Sequence, residues 1–270
     1  MFDRWLNVLL LAWEISLRGG VHSILKELAS QTFDFEKMKA LRPTKLLRTI
    51  KLFLLHGRKN PALFLTYLKY ESDTMIPCNT YISNLQIALM LSKVDGDVVE
   101  CGVWNGGMIA GIADTISNQR DRKFYLYDSF EGLPDADLEA DGEKAVLWQK
   151  LANPENFFEN CTGSEEKARC NMLRSKAFKF QITRGWFEKT LLSHPKRSIC
   201  LLRLDGDWYD STIQCLQCLA RYVHADGCII VDDYNTWQGC KKAVDQYLVY
   251  DKSFKLTITP HFALLKKLPM

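Results

Sequence analysis

The sequence predicts an α/β fold: a doubly wound, mostly parallel sheet preceded by a helical segment. Two observations carry this. From about residue 95, apolar runs of strand length alternate with helix-length stretches, the signature of repeated β-α units. Several of those runs also end in acidic or glycine-rich turns, as strands do where an open sheet presents ligand-binding groups along one edge.

The 270 residues suit one large α/β domain with an appendage, or two small domains. We expect a helical cap or oligomerisation segment over 1–75 and the sheet domain over 76–270. The chain is 47% apolar, enough for a substantial core. Its net charge is +3, and no basic tract alternates with aromatics, which argues against a nucleic-acid partner. The 9 cysteines, an odd and scattered set, read as reduced thiols of a cytoplasmic protein.

In the first segment Gly19-Gly20, Pro43 and Asn60-Pro61 punctuate helical stretches. The apolar run Trp5 to Leu17 contains Glu14, lacks a basic start and a small-residue cleavage site, and is too short to span a bilayer. It reads as a docked helix. Residues 45–56 set Leu46, Leu47, Ile50, Phe53 and Leu54 against Lys45, Arg48 and Lys51. Such a helix suits a cap or a subunit contact better than a membrane surface, although peripheral contact is compatible with it.

The first strand is Asp97 to Cys101, entered through Asp95-Gly96, and a helix follows from Gly107 to Ser117. Lys123 to Asp128 is the second strand. A polar insertion over 131–176 carries helices around Ala145 and Glu165. Phe178 to Thr183 is the third strand, and Ile199 to Leu204 runs into Asp205. A helix from Tyr209 to Tyr222 leads to Cys228–Val231, which runs into Asp232-Asp233. Trp237 to Leu248 is helical, and Phe254 to Ile258 with Phe262 to Lys266 closes the sheet.

Asp205, Asp232 and Asp233 therefore meet at the tips of two neighbouring strands. Three carboxylates converging there repel one another. A hard divalent cation such as Mg²⁺ relieves that repulsion and keeps positions open for substrate. Asp207 is a fourth acid nearby, read as the N-cap of the helix at Tyr209 or as a partner behind the ligands.

At the first strand-to-helix turn, Glu100-Cys101-Gly102-Val103-Trp104-Asn105-Gly106-Gly107 lets backbone N–H groups approach a ligand, with Gly102 and Gly106 as the permissive points. Trp104 stands where a dinucleotide fingerprint needs its second glycine. The turn instead suits a ligand without phosphates beside it, such as S-adenosylmethionine (SAM). Asp128 ends the second strand, where an acid accepts ribose hydroxyls, and Ser129 and Phe130 can flank adenine.

The segments ECGVWNGG, YLYDSFEGLPDAD, ITRGWFEKTL, LRLDGDWYDST and IIVDDYNTWQGCKKAVDQY resemble the macrocin O-methyltransferase family over residues 71–250. These are Mg²⁺- and SAM-dependent sugar O-methyltransferases of antibiotic biosynthesis. The resemblance implies a class I methyltransferase fold with an antiparallel final strand, and commonly a homo-oligomer. It places the metal on Asp205, Asp232 and Asp233, and the cofactor on Glu100, Gly102, Asp128 and Ser129. It also implies that Thr74-Met75 close over SAM and that Gly185 and Trp186 lie beside the adenine. The N-terminal segment and the insertion beyond about residue 138 carry specificity in such enzymes and read differently here. The reaction is therefore implied more firmly than a macrolide acceptor.

The expected chemistry is in-line methyl transfer to a sugar hydroxyl of a glycosylated natural product or a glycan, with Asp205 the first choice of general base and His261 or a water in reserve. Two rivals share parts of the pattern. Asp205-Gly206-Asp207 is the D-x-D of metal-dependent glycosyltransferases, but that reading leaves Asp232, Asp233 and the glycine turn without roles. A catechol-type methyltransferase would use the same cofactor and metal. Cys215 and Cys218 lie within one helix and read as buried thiols, not as a metal or redox pair.

Overall fold

The structure is a computed structural model that describes residues 43–116, 121–151 and 159–268. The Trp5 to Leu17 run and the Gly19-Gly20 break lie outside the described residues. The chain divides into two compact units, Met1–Leu55 and His56–Met270. In the first, helix α1 covers Pro43–Leu52 and leaves Arg48 and Lys51 exposed. Proline is well placed at a helix start, where its missing N–H has no partner to lose.

The second unit begins with helices α2 (Pro61–Tyr70) and α3 (Cys78–Met90), which pack together. Helix α2 also packs on α4 (Gly107–Ile116), so it belongs with the sheet domain, although the sequence groups it with the N-terminal segment. No element is expected over 76–94, yet α3 fills most of it. Its buried face includes Thr80 and Asn84 beside Tyr81, Leu85 and Ala88, and those polar residues blur the apolar period.

Among the described residues, seven strands form one sheet: β1 (Asp97–Cys101), β2 (Lys123–Asp128), β3 (Lys179–Arg184), β4 (Ile199–Leu204), β5 (Val223–Val231), β6 (Phe254–Ile258) and β7 (Ala263–Lys267). Their order is β3-β2-β1-β4-β5-β7-β6. Only β7 is antiparallel to its neighbours, β5 and β6. This is the doubly wound, mostly parallel sheet with an antiparallel final strand expected from the sequence. The central strands β1 and β4 are buried along their whole length, so they read as continuous apolar runs rather than alternating ones. The edge strand β3 alternates Phe180 and Ile182 with more polar residues.

The chain reverses its winding between β1 and β4, and this switch point opens a crevice at the strand C-termini. The remaining helices are α5 (Glu143–Leu151) and α6 (Glu165–Arg174) of the insertion, the short α7 (Phe187–Thr190), α8 (Tyr209–Leu219) and α9 (Gln238–Tyr250). Strand β5 starts earlier than expected, at Val223 rather than Cys228. Asp226-Gly227 marks an irregularity inside the strand, with a register shift against β4, instead of a turn before it.

His194 makes this fold sensitive to acid. It is buried, with its Nδ1 2.8 Å from the Tyr127 hydroxyl and its ring against Tyr125. Burial pushes its imidazole down to about 4, with Asp97 opposing weakly. The unfolded chain takes up this proton near pH 6.5, the folded chain only near pH 4. The contribution is therefore fully present above about pH 6.5 and is lost on acidification towards pH 4, by up to about 3 kcal/mol. Urea unfolding at pH 7 and pH 5 checks this. The midpoint should fall at pH 5, and His194→Gln, which keeps a partner for Tyr127, should narrow the difference. An equal fall in both proteins would assign the effect to other groups.

Candidate functional site

The crevice is a cavity of about 680 Å³. It is lined by Met75, Gly102, Trp104 and Asp128, by Leu133, Pro134 and Trp208, and by a floor of four acids that follow β4 and β5: Asp205, Asp207, Asp232 and Asp233.

The glycine turn is built by close backbone contact. Gly102 has φ +84°, and a Cβ there would meet the Asp205 carbonyl oxygen at 1.8 Å. The turn after β1 and the acidic loop after β4 thus touch through main chain, which only glycine permits. Trp104 also sits in the left-handed region, at φ 50°. Its N–H and that of Val103 donate to Asp128 Oδ2 at 2.8 and 2.6 Å, which holds the strained backbone in place. Gly106 faces Ala168 of α6 and does not line the cavity. Asp73 and Thr74 lie with their backbone over Gly107. Met75, Ile76 and Pro77 reach the cavity, while the Thr74 hydroxyl accepts from Ile76 N–H.

Asp128 Oδ1 accepts from Phe130 N–H at 2.7 Å. Three of the roughly four acceptor positions of this carboxylate are then filled, leaving one directed elsewhere. Burial raises its pKa while the three backbone donors oppose that. Ser129 lines the cavity, and its hydroxyl closes a local turn to Gly132. Gly185 donates its N–H to the Asp128 carbonyl, and Trp186 follows it on the cavity wall.

On the floor, Asp205, Asp232 and Asp233 can each place one oxygen so that all three lie within 4.8 Å of one another. Burial raises the pKa of Asp232 to about 6, with Arg203 opposing and Asp205 adding to the rise. Asp233 is raised well above the usual carboxylate range by burial and by Asp207, Asp205 and Asp232. Its Oδ2 is buried without a hydrogen bond among the described residues. Such a group is costly unless something else pairs with it. The geometry therefore fits a cation.

Behind the acids lies Arg203, fully buried on β4. Its Nη1 donates to Glu100 Oε1 and Asp205 Oδ2, both at 2.8 Å, and its Nε donates to Asn84 Oδ1 at 3.2 Å. Its Nη2 lies 2.8 Å from Asp232 Oδ1 without the alignment of a hydrogen bond. Glu100 is thus turned away from the cavity and into this network, where burial pushes it up to about 8 against the pull of Arg203. Arg203 is the main residue that sequence reasoning missed. The signal was present, because an arginine inside the buried run ICLLRL must be paired.

Asp207 does not cap α8. The Tyr209 N–H donates instead to Asp141 Oδ1 at 2.7 Å, an acid supplied by the insertion. Asp207 sits at φ 56° on the cavity floor and accepts from Trp237 Nε1 at 2.9 Å. Burial and Asp205 raise its pKa to about 7. His261 lies in the turn before β7, 3.4 Å from Thr80 Oγ1, and is not among the residues lining the cavity. Cys215 is buried and Cys218 partly so on α8, both as free thiols.

Known proteins resemble this chain in sequence and in fold. The family model described as macrocin-O-methyltransferase (TylF) matches residues 73–255. A demethyldecarbamoylnovobiocin O-methyltransferase from Streptomyces niveus is 37% identical over 161 residues, 58% of this chain and 59% of that protein. A mycinamicin III 3''-O-methyltransferase from Micromonospora griseorubida is 32% identical over 177 residues, 62% of this chain and 66% of that protein. Each match spans less than two thirds of the relative's own length. The solved O-methyltransferase NovP superposes with a TM-score of 0.61 at 30% identity, covering 73% of this chain and 83% of that one.

Proposed function

This chain belongs to the macrocin O-methyltransferase family, and on that premise we propose that it transfers a methyl group from SAM to a sugar hydroxyl of a glycosylated natural product. One observation carries the reading: the glycine turn, Asp128 and the acid cluster all face one cavity. The two relatives named above act on antibiotic intermediates, by their names, which supports an acceptor of that class.

Bound SAM would supply the methyl on a sulfonium, and bound Mg²⁺ would acidify and orient an acceptor hydroxyl. Asp205, Asp232 and Asp233 would hold the metal. Gly102, Asp128, Ser129, Gly185, Trp186 and Met75 would hold SAM, with the one open acceptor position of Asp128 for a ribose hydroxyl. Glu100 and Gly106 act from behind, through Arg203 and α6, and Thr74 by ordering the Met75 strap.

Asp207 is the better proton acceptor by position. Asp205 is tied to Arg203 and His261 lies off the cavity, whereas Asp207 stands on the floor with a single indole donor on one oxygen. Its other oxygen is the one to take the hydroxyl proton as the C–S bond breaks and the C–O bond forms. Trp208, Leu133 and Pro134 line the same cavity with apolar surface. We further propose cytoplasmic residence and a homo-oligomer, with α1 as a candidate subunit contact. Among the described residues no helix is long and apolar enough to cross a membrane.

The test is calorimetry with SAM and with a UDP-sugar, followed by incubation with SAM, Mg²⁺ and demethyldecarbamoylnovobiocin, with methyl gain read by mass spectrometry. Heat from SAM and one added methyl are expected. Heat from the UDP-sugar alone would favour the glycosyltransferase reading. Asp207→Asn should lower turnover by about 10²- to 10⁴-fold, the usual worth of a general base, with SAM affinity unchanged. A loss of less than threefold would remove Asp207 from that role.

A further inference from the structure

We propose that Trp237 is the positioning residue for Asp207, and that the insertion steers this acid through a cluster of three indoles. The inference rests on the reading of Asp207 as proton acceptor given above.

Asp207 occupies a backbone conformation that an ordinary side chain avoids, at φ 56°. Among the described residues, the side-chain hydrogen bond it receives comes from Trp237 Nε1 at 2.9 Å. Trp237 stands at the start of α9, and its own backbone N–H is bound to the Asp233 carbonyl at 3.0 Å. It caps the helix without a side-chain bond, so its indole is free to point at the loop.

The indole is held on three sides. Its ring lies 5.1 Å from that of Trp208 and 5.6 Å from that of Trp148, both edge-to-face. Lys144 Nζ sits 4.9 Å from its centroid and is itself bound to the Thr236 carbonyl at 3.0 Å. Trp208 is locked in turn by its N–H to the Pro134 carbonyl at 2.9 Å. Edge-to-face rings have a defined relative orientation, so the indole N–H is aimed before any ligand arrives. A well-aligned N–H bond at 2.9 Å to one carboxylate oxygen selects one carboxylate orientation.

Trp148 and Lys144 both belong to α5 of the insertion, while Asp207 and Trp237 belong to the sheet domain. The insertion also lines the cavity through Leu133, Pro134 and Asp135. The element that lines the cavity beside the acid therefore also braces the donor that aims it. Methyl transfer requires the acid, the hydroxyl and the sulfonium in one geometry, and this arrangement fixes the first of them.

Trp237→Phe keeps an aromatic ring and removes only the donor. With demethyldecarbamoylnovobiocin as acceptor, kcat should fall about 10- to 100-fold, the usual weight of a bond to a charged group. KM for the acceptor and SAM affinity should stay within about threefold. In an Asp207→Asn background, the same substitution should cost less than about twofold, because the charge it served is gone. An equal loss in both backgrounds would mean that Trp237 acts by packing alone, and would overturn the proposal.

A second arm needs no turnover. The Trp237 indole resonance of ¹⁵N-labelled protein is identified by its absence in Trp237→Phe. In Asp207→Ala it should move upfield and exchange with deuterium at least about tenfold faster. An unmoved, equally protected resonance would show that the bond is not made in solution, and the proposal would fail. If the wild-type protein binds SAM but leaves this acceptor unmethylated, the fault lies with the acceptor assignment, and the indole arm still decides this one.

Discussion

Asp233→Asn is expected to lower Mg²⁺-supported turnover by roughly three orders of magnitude while SAM affinity stays within about threefold. The substitution is nearly isosteric, and it leaves Arg203 with all its partners, since Arg203 engages Glu100, Asp205 and Asp232 but not Asp233. What it removes is a carboxyl oxygen that is buried and lacks a hydrogen bond among the described residues. A cation that relies on this oxygen then binds more weakly and orients the acceptor less well. Titrating turnover with Mg²⁺ and measuring SAM binding by calorimetry separates the two effects. Turnover at the wild-type level, or an unchanged Mg²⁺ dependence, would end the metal assignment. Asp232→Asn is a less clean probe, because it also disturbs Arg203.

Arg203→Met should be the most destabilising of these changes. Methionine fills a similar volume, but Glu100, Asp205 and Asp232 then face one another without their shared cation. Removing one side of a buried ion pair typically costs about 3–5 kcal/mol. For a chain of this size that lowers the melting temperature by roughly 6 °C or more. Adding Glu100→Gln should recover part of the loss, since it removes one of the stranded acids. Calorimetric melting of both variants provides the check. A melting point within a degree or two of wild type would show that water or rearrangement replaces the guanidinium at little cost.

The sequence made the centre of the sheet legible and blurred its margins, for physical reasons. Strands β1 and β2 were readable to the residue because each is a short apolar run bounded by turn residues. The start of β5 was not, because Asp226-Gly227 looks like a turn when it is an irregularity tolerated inside a strand. Helix α3 escaped notice because its buried face includes Asn84, which serves Arg203 and does not look like core. In the site, residue type and strand-end position were enough to bring Asp205, Asp232 and Asp233 together. They could not show that Glu100 points into the sheet layer, or that Asp141 from the insertion caps α8 in place of Asp207. Both depend on pairings between segments far apart in the chain, which local pattern does not encode.

Arg203 has one more implication. Many small metal-binding domains come apart when stripped of their ion, because nothing else neutralises the ligands that folding has gathered. Here a fixed guanidinium under two of the three acids does part of that work permanently. On the metal assignment proposed above, folding is thereby separated from ion supply: a chelator should silence the protein without unravelling it, and restoring the ion should bring it back with no refolding delay. A chain that does bind such an ion would then wait, assembled and inert, for its inorganic helper.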